Sequence, residues 1–342
     1  AWSEQNDLSL ARNYLMGAGV STGALAFGGN TPPHTTATEE WVENAPVGAW
    51  ATGTSYNSAR NSGASSGTTT AALIAGGAPG SPSANYSGKT EIWNGTAWTE
   101  TNDLIQQRNA IRGVGANSTL ALAMGGGAPG LPVGDTGLVE QWNGTSWTEK
   151  ADLSTDKAEV ATIGVYDDAL CVGGNNPGIA QNEKWNGSTW TELADLNQNR
   201  GNSVGAGASS TAGIVFGGFI SPSPPEYWTE KVEIWNGTSW TETANLNQKR
   251  SGAGASGNAT SSVVFAGRYD GNPVNALVEE WNGVSFSETT NLSTARSQPM
   301  YAQQGSATDS FAVGGAVGPL DSMTTAVENW SGSSNLIKVL TD

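Results

Sequence analysis

Two of the residue types that most often carry chemistry are nearly missing from this 342-residue chain, which has one cysteine, Cys171, and one histidine, His34. A single cysteine cannot form an intramolecular disulfide, so burial and hydrogen bonding have to hold the fold. One histidine and one cysteine are too few ligands for a copper or zinc centre, and no metal or cofactor is expected. Basic charge is scarce as well: 15 Lys and Arg stand against 31 Asp and Glu, a net charge of −16. That balance excludes the clustered cations that a phosphate backbone needs, so nucleic acid is not an expected partner. No run approaches the roughly 20 apolar residues of a membrane-spanning helix, which argues against membrane insertion. Nothing at the start reads as a signal peptide, and a chain beginning at Ala1 is expected to be processed or to belong to something longer. Stretches of 3.6-residue periodicity are missing too, which excludes helical repeats.

What is present is a repeat. Gly-Gly or Ala-Gly pairs recur at Gly28, Gly76, Gly125, Gly173, Gly217, Ala266 and Gly314, spaced 48, 49, 48, 44, 49 and 48 residues apart. Each pair ends a short apolar run, such as Leu120 to Met124. A basic residue stands 16 to 18 positions before it, at Arg12, Arg60, Arg108, Lys157, Arg200, Arg250 and Arg296. A tryptophan follows it, at Trp41, Trp93, Trp142, Trp185, Trp235, Trp281 and Trp330. A period near 48 with several short apolar runs and many turn residues predicts β-propeller blades of four strands.

The third and fourth strands form a hairpin at Asn-Gly, as in Trp93-Asn94-Gly95-Thr96, where a two-residue type I′ turn is expected. In that register Trp93 and Trp98 are diagonal neighbours on one face. The same step recurs at Trp142/Trp147, Trp185/Trp190, Trp235/Trp240 and Trp281/Phe286. These aromatics are assigned to packing between adjacent blades. The glycine pairs are assigned to sharp turns near the crowded axis, and the recurrent Arg and Lys residues to bonding loop carbonyls. Cys171, inside Ala169-Leu170-Cys171-Val172, is expected to be a buried strand residue.

Ala1-Trp2-Ser3-Glu4 matches Ala97-Trp98-Thr99-Glu100, an outermost strand. The expected architecture is therefore an all-β, seven-bladed propeller over residues 1–335. Its last blade is a composite of residues 1–8 and 300–330, closed by the N-terminal strand, and a tail covers 336–342. That tail, with Asn335-Leu336-Ile337-Lys338-Val339-Leu340, is the alternative closing strand, or else a contact for another subunit in a homo-oligomer or scaffold.

The Arg, apolar-Gly-Gly, Val-Glu-x-Trp and Trp-x4-Trp pattern resembles the kelch repeat. Trp-Asn-Gly-Thr-Ser-Trp-Thr-Glu in particular is similar to the kelch-like arrays of tail-fibre and other structural proteins of marine tailed bacteriophages. Two departures stand out, a longer turn Glu43-Asn44-Ala45-Pro46-Val47-Gly48-Ala49 in place of Asn-Gly, and Phe286 in place of a tryptophan. The resemblance implies a non-enzymatic binding or structural module, located in a virion or outside the cell. It would meet other assembly subunits or a cell-surface glycan.

The copper-oxidase branch of kelch propellers needs two His and a Tyr–Cys pair, which this chain lacks. A sialidase-like glycosidase is the alternative. It would place two carboxylates at the loop rim, although the Asp-box aspartate position holds Trp142. The Asn-Gly-Thr and Asn-Gly-Ser sequons are explained by their turns. Asp270-Gly271-Asn272 and Asp167-Asp168 each lack a full calcium ligand series. Loops of 10 to 16 residues between each Gly pair and its Trp lie on the rim opposite the Asn-Gly turns and share no sequence, the usual place for recognition. Tyr86, Phe219, Tyr227, Trp228, Arg268, Tyr269 and Asp270, which have no counterpart in other repeats, are the contact candidates. The other reading is that they pin their own loops.

Overall fold

The computed structural model describes residues 16–20, 23–27, 38–42, 49–79, 86–130, 135–174, 178–220, 228–269, 273–318 and 322–332. Two units divide the chain. Residues 48–332 form a β-propeller; the other unit contains a three-stranded antiparallel sheet of Met16–Val20, Gly23–Phe27 and Thr38–Val42.

The propeller has six blades, not the seven counted from the repeats. Five are continuous four-stranded sheets, opening with the inner strands Ala64–Thr68, Arg112–Asn117, Ala161–Val165, Val204–Ser209 and Gly254–Asn258. The sixth runs Met300–Tyr301, Asp309–Val313, Val327–Ser331 and then Ala49–Gly53. The expected N-terminal closure is thus corrected. The position beside Val327–Ser331 is filled by Ala49–Gly53, with Trp50 opposite Trp330 and Ala51 opposite Asn329. Residues 1–8 and the 336–342 tail lie outside the described residues. In the sequence, the stretch before this strand, Glu43–Gly48, lacks the Asn-Gly pair of the other repeats.

The cores lie between neighbouring blades. The second strand of each blade is apolar at almost every position because both its faces are covered. In blade 1, Leu73 and Ala75 pack with Ala121, Ala123 and Trp142 of blade 2, while Ala72 and Ile74 pack with Phe311 and Val313 of blade 6. Cys171 is fully buried in such a strand, and burial pushes its thiol up to about 12, so it behaves as a small apolar residue.

The tryptophan hairpins need a change of register. Trp93 lies directly opposite Trp98, and Trp142, Trp185 and Trp235 lie opposite Trp147, Trp190 and Trp240, with ring centroids 5.1–5.5 Å apart. Four residues therefore make each turn. In the blade 1 turn, of residues 94–97, only Gly95 has positive φ, and the Asn94 side-chain oxygen accepts the N–H groups of Thr96 and Ala97, both at 2.9 Å. The asparagine works as a side-chain cap. Each inner indole donates to a turn carbonyl of its own blade, as Trp142 does to Ser118 at 3.1 Å. The outer Trp147 reaches Thr90 of blade 1 at 3.0 Å, and Phe286 of blade 5 meets Phe216 of blade 4, so these aromatics do join blades.

The basic residue of each repeat is a clamp. Arg108 donates to the carbonyls of Gly125 and Leu138 at 2.8 and 2.7 Å and pairs with Glu140 at 2.9 Å. The other oxygen of Glu140 accepts the Ile105 N–H at 2.7 Å, in the segment arriving from blade 1. Arg60–Glu91, Lys157–Glu183, Arg200–Glu233, Arg250–Glu279 and Arg296–Glu328 repeat the ion pair. The Gly pairs complete the joint, and they follow the second strand rather than the innermost one. The second glycine of each pair donates to the clamp residue of the next blade, from Gly77 to Arg108 at 2.8 Å around to Gly315 to Arg60 at 3.2 Å. A Cβ on Gly126, at φ 94°, would meet the Asn109 carbonyl at 2.4 Å, which is why this second position requires glycine.

One buried carboxyl comes at a cost. Glu280 stands in the column of Ile92, Gln141, Lys184, Ile234 and Asn329, is largely buried, and leaves its Oε1 without a hydrogen bond. Burial raises its pKa, so its contribution to stability is full below the ordinary glutamate value of about 4.3 and is lost as pH rises through the raised one. Glu280→Ile is expected to stabilise the ring by about 1–3 kcal/mol at neutral pH. It should also flatten the loss of stability with rising pH. Denaturant melts across that range read both effects.

Candidate functional site

Where each connecting segment enters an inner strand, one residue per blade adopts positive φ: Ser62, Ala110, Glu159, Asn202, Gly252 and Gln298, all between 49° and 59°. Only Gly252 takes this conformation without strain, and the others hold it at roughly 1–2 kcal/mol each. The return is a collar around the axis on the loop face. The N–H groups of Glu159, Asn202, Gly252 and Gln298 each donate to the collar residue of the preceding blade at 2.7–2.9 Å. Ser62 donates to Gln298 at 3.3 Å. These bonds use backbone alone, so the fold does not dictate the collar side chains, and the chain uses that freedom for polar groups.

Two cations join the collar, both at positions that other repeats fill differently. Arg112 stands where the other blades have Ala64, Ala161, Val204, Gly254 and Met300, and its Nη2 donates to the Asn202 side-chain oxygen at 3.1 Å. Arg268 stands in the column of Ala78, Gly127, Phe219 and Ala316. Its Nη2 donates to Oε1 of Gln298 at 2.9 Å, where Asn61 also donates at 3.1 Å. Blades 2 and 5 are opposite in the ring, so the two guanidiniums come from opposite sides. Glu159 is closely surrounded, though part of it reaches solvent. Burial raises its pKa, against the pull of Arg112 and Arg268. Asp135, on the same face, is also raised, first by burial and then by Asp156. Asn61, Arg112, Glu159, Asn202, Arg268 and Gln298 thus bring one polar side chain from each blade to a single mouth.

At the opposite end Gln304 of blade 6 crosses the axis. Its Nε2 donates to the Gly164 carbonyl of blade 3 at 2.7 Å, and its N–H donates to Gly67 of blade 1 at 2.9 Å.

Of the candidates read from the sequence, Arg268 belongs to this mouth. Phe219 and Trp228 form a backbone bridge to one another on blade 4, Tyr269 follows Arg268, and all three are half-buried. Tyr86 is half-buried on blade 1. Tyr227 and Asp270 lie outside the described residues, as does His34. Asp168 is engaged with Ser210 and Lys184. Arg112, Glu159, Asn202 and Gln298 were not singled out in the sequence. A column-by-column comparison of repeats would have found them, since an Arg among Ala, Val, Gly and Met has no repeat-level explanation.

Six radial four-stranded sheets closed about an axis, with a polar mouth on one face, define a β-propeller. A solved structure titled "Structure of YjhT" is similar to this chain, with a TM-score of 0.65 at 11% identity, covering 81% of this chain and 96% of that one. At that identity the likeness speaks for the fold. No protein-family model matches the sequence, and no curated protein does.

Proposed function

We propose that this chain is a non-enzymatic recognition module of a virion or other extracellular assembly, and that it binds a surface glycan at the axial mouth of its loop face. The observation that carries this reading is the convergence of six polar side chains of four kinds, one per blade, on a collar whose own geometry needs only backbone. Neutral amides of Asn61, Asn202 and Gln298 suit sugar hydroxyls, and the half-buried aromatics on neighbouring loops suit sugar faces. The likeness of the Trp-Asn-Gly-Thr-Ser-Trp-Thr-Glu repeats to phage kelch-like arrays supports the setting.

A second reading, glycan hydrolysis, draws on Glu159 and Asp135, two carboxyls of raised pKa within electrostatic reach of each other. A glycan array read beside a hydrolysis assay separates the two. The module is expected to retain bound glycan unchanged, and to lose at least tenfold in affinity in Asn202→Ala. Turnover of a bound sugar that stops in Glu159→Gln would replace the first reading with the second.

A further inference from the structure

The clamp cations and the mouth cations differ in one respect. Each of the six clamp residues is neutralised by its own buried glutamate. Arg112 and Arg268 make no ion pair among the described residues; they are held by the amide oxygens of Asn202 and Gln298 instead. Amide oxygens orient a guanidinium without neutralising its charge. Two pre-oriented guanidiniums that form no ion pair among the described residues, brought in from blades 2 and 5, stand out in a chain of net charge −16. One carboxyl, that of Glu159, lies within electrostatic reach of both.

We propose that the glycan taken at the axial mouth carries a carboxylate, gripped by Arg112 and Arg268 from opposite blades while the collar amides take its hydroxyls. The inference rests on the glycan reading above. A carboxylate presents two coplanar oxygens to the planar donor fork of arginine, a match that lysine does not offer.

The test uses the whole chain, a panel of uronate- and sialate-bearing oligosaccharides, the methyl ester of each, and free acetate, with calorimetric titration. The free acids are expected to bind at least tenfold more tightly than their esters. Arg112→Gln and Arg268→Gln should each cut that preference at least tenfold, and Arg268→Lys should restore only part of it. Unchanged thermal midpoints show that the variants remain folded, and a variant that unfolds is replaced by its Lys counterpart. Esters binding as tightly as acids would overturn the carboxylate inference and leave glycan recognition standing. Acetate binding as tightly as the oligosaccharides would overturn the glycan part, and binding of none of these probes would overturn both.

Discussion

Arg200→Ala is expected to destabilise the propeller by about 3–5 kcal/mol, since it strands a buried glutamate. Arg200 and Glu233 are both essentially inaccessible and lie 2.5 Å apart. Arg200 also holds the carbonyl of Lys231 at 2.8 Å, and Glu233 holds the N–H of Asn197 at 2.8 Å. Removing the cation leaves an uncompensated carboxylate and an open carbonyl inside one joint of the ring. Domains of ordinary stability have 5–15 kcal/mol in total, so one such change consumes a large share. Glu233→Ala should do the same from the other side. The double variant Arg200→Met with Glu233→Leu should recover part of the loss, because an apolar pair needs no compensation. Chemical denaturation of the four proteins reads the cycle. Equal stability of the single variants and the parent would show that the clamps are ornamental.

Deletion of residues 1–47 is expected to leave the unfolding of the propeller cooperative, whereas deletion of residues 1–54 should destabilise it by about 5 kcal/mol. The second deletion removes Ala49–Gly53, which pairs along its whole length with Val327–Ser331. At about 1 kcal/mol net for each backbone hydrogen bond, a five-residue strand accounts for that loss. The bare edge left behind would also invite association between chains. Melts and sedimentation of the two truncated proteins report both effects.

The repeat made most of this architecture readable. Four strands per unit, Trp pairs in the hairpins, an arginine clamp and a buried Cys171 all follow from residues that recur. Closure was not readable in the same way. Seven copies of the motif look alike in sequence, but how many close depends on the angle between neighbouring blades, which no single residue states. The clue lay in the sequence at Glu43–Gly48, where Asn-Gly is missing ahead of the strand Ala49–Gly53 that pairs with Val327–Ser331. Trp2 carries the same outer-strand motif as Trp50, so the motif alone cannot choose between them. The site obeyed the opposite rule. Arg112, Glu159 and Gln298 matter because they break the repeat, and a search for recurrence passes over such residues. Arg268 was caught because its whole loop differs from the others.

Everything above about the mouth depends on six blades meeting, since a seventh would widen the collar and separate Arg112 from Arg268. A pair of engineered cysteines tests this most directly. Ala51→Cys with Asn329→Cys places thiols on directly opposed residues of neighbouring strands, and an intramolecular disulfide is expected on mild oxidation. Ser3→Cys with Asn329→Cys, the pairing that an N-terminal closure requires, is expected to stay reduced. The reverse outcome, a bond from residue 3 and none from residue 51, would contradict the six-bladed ring and the site built on it.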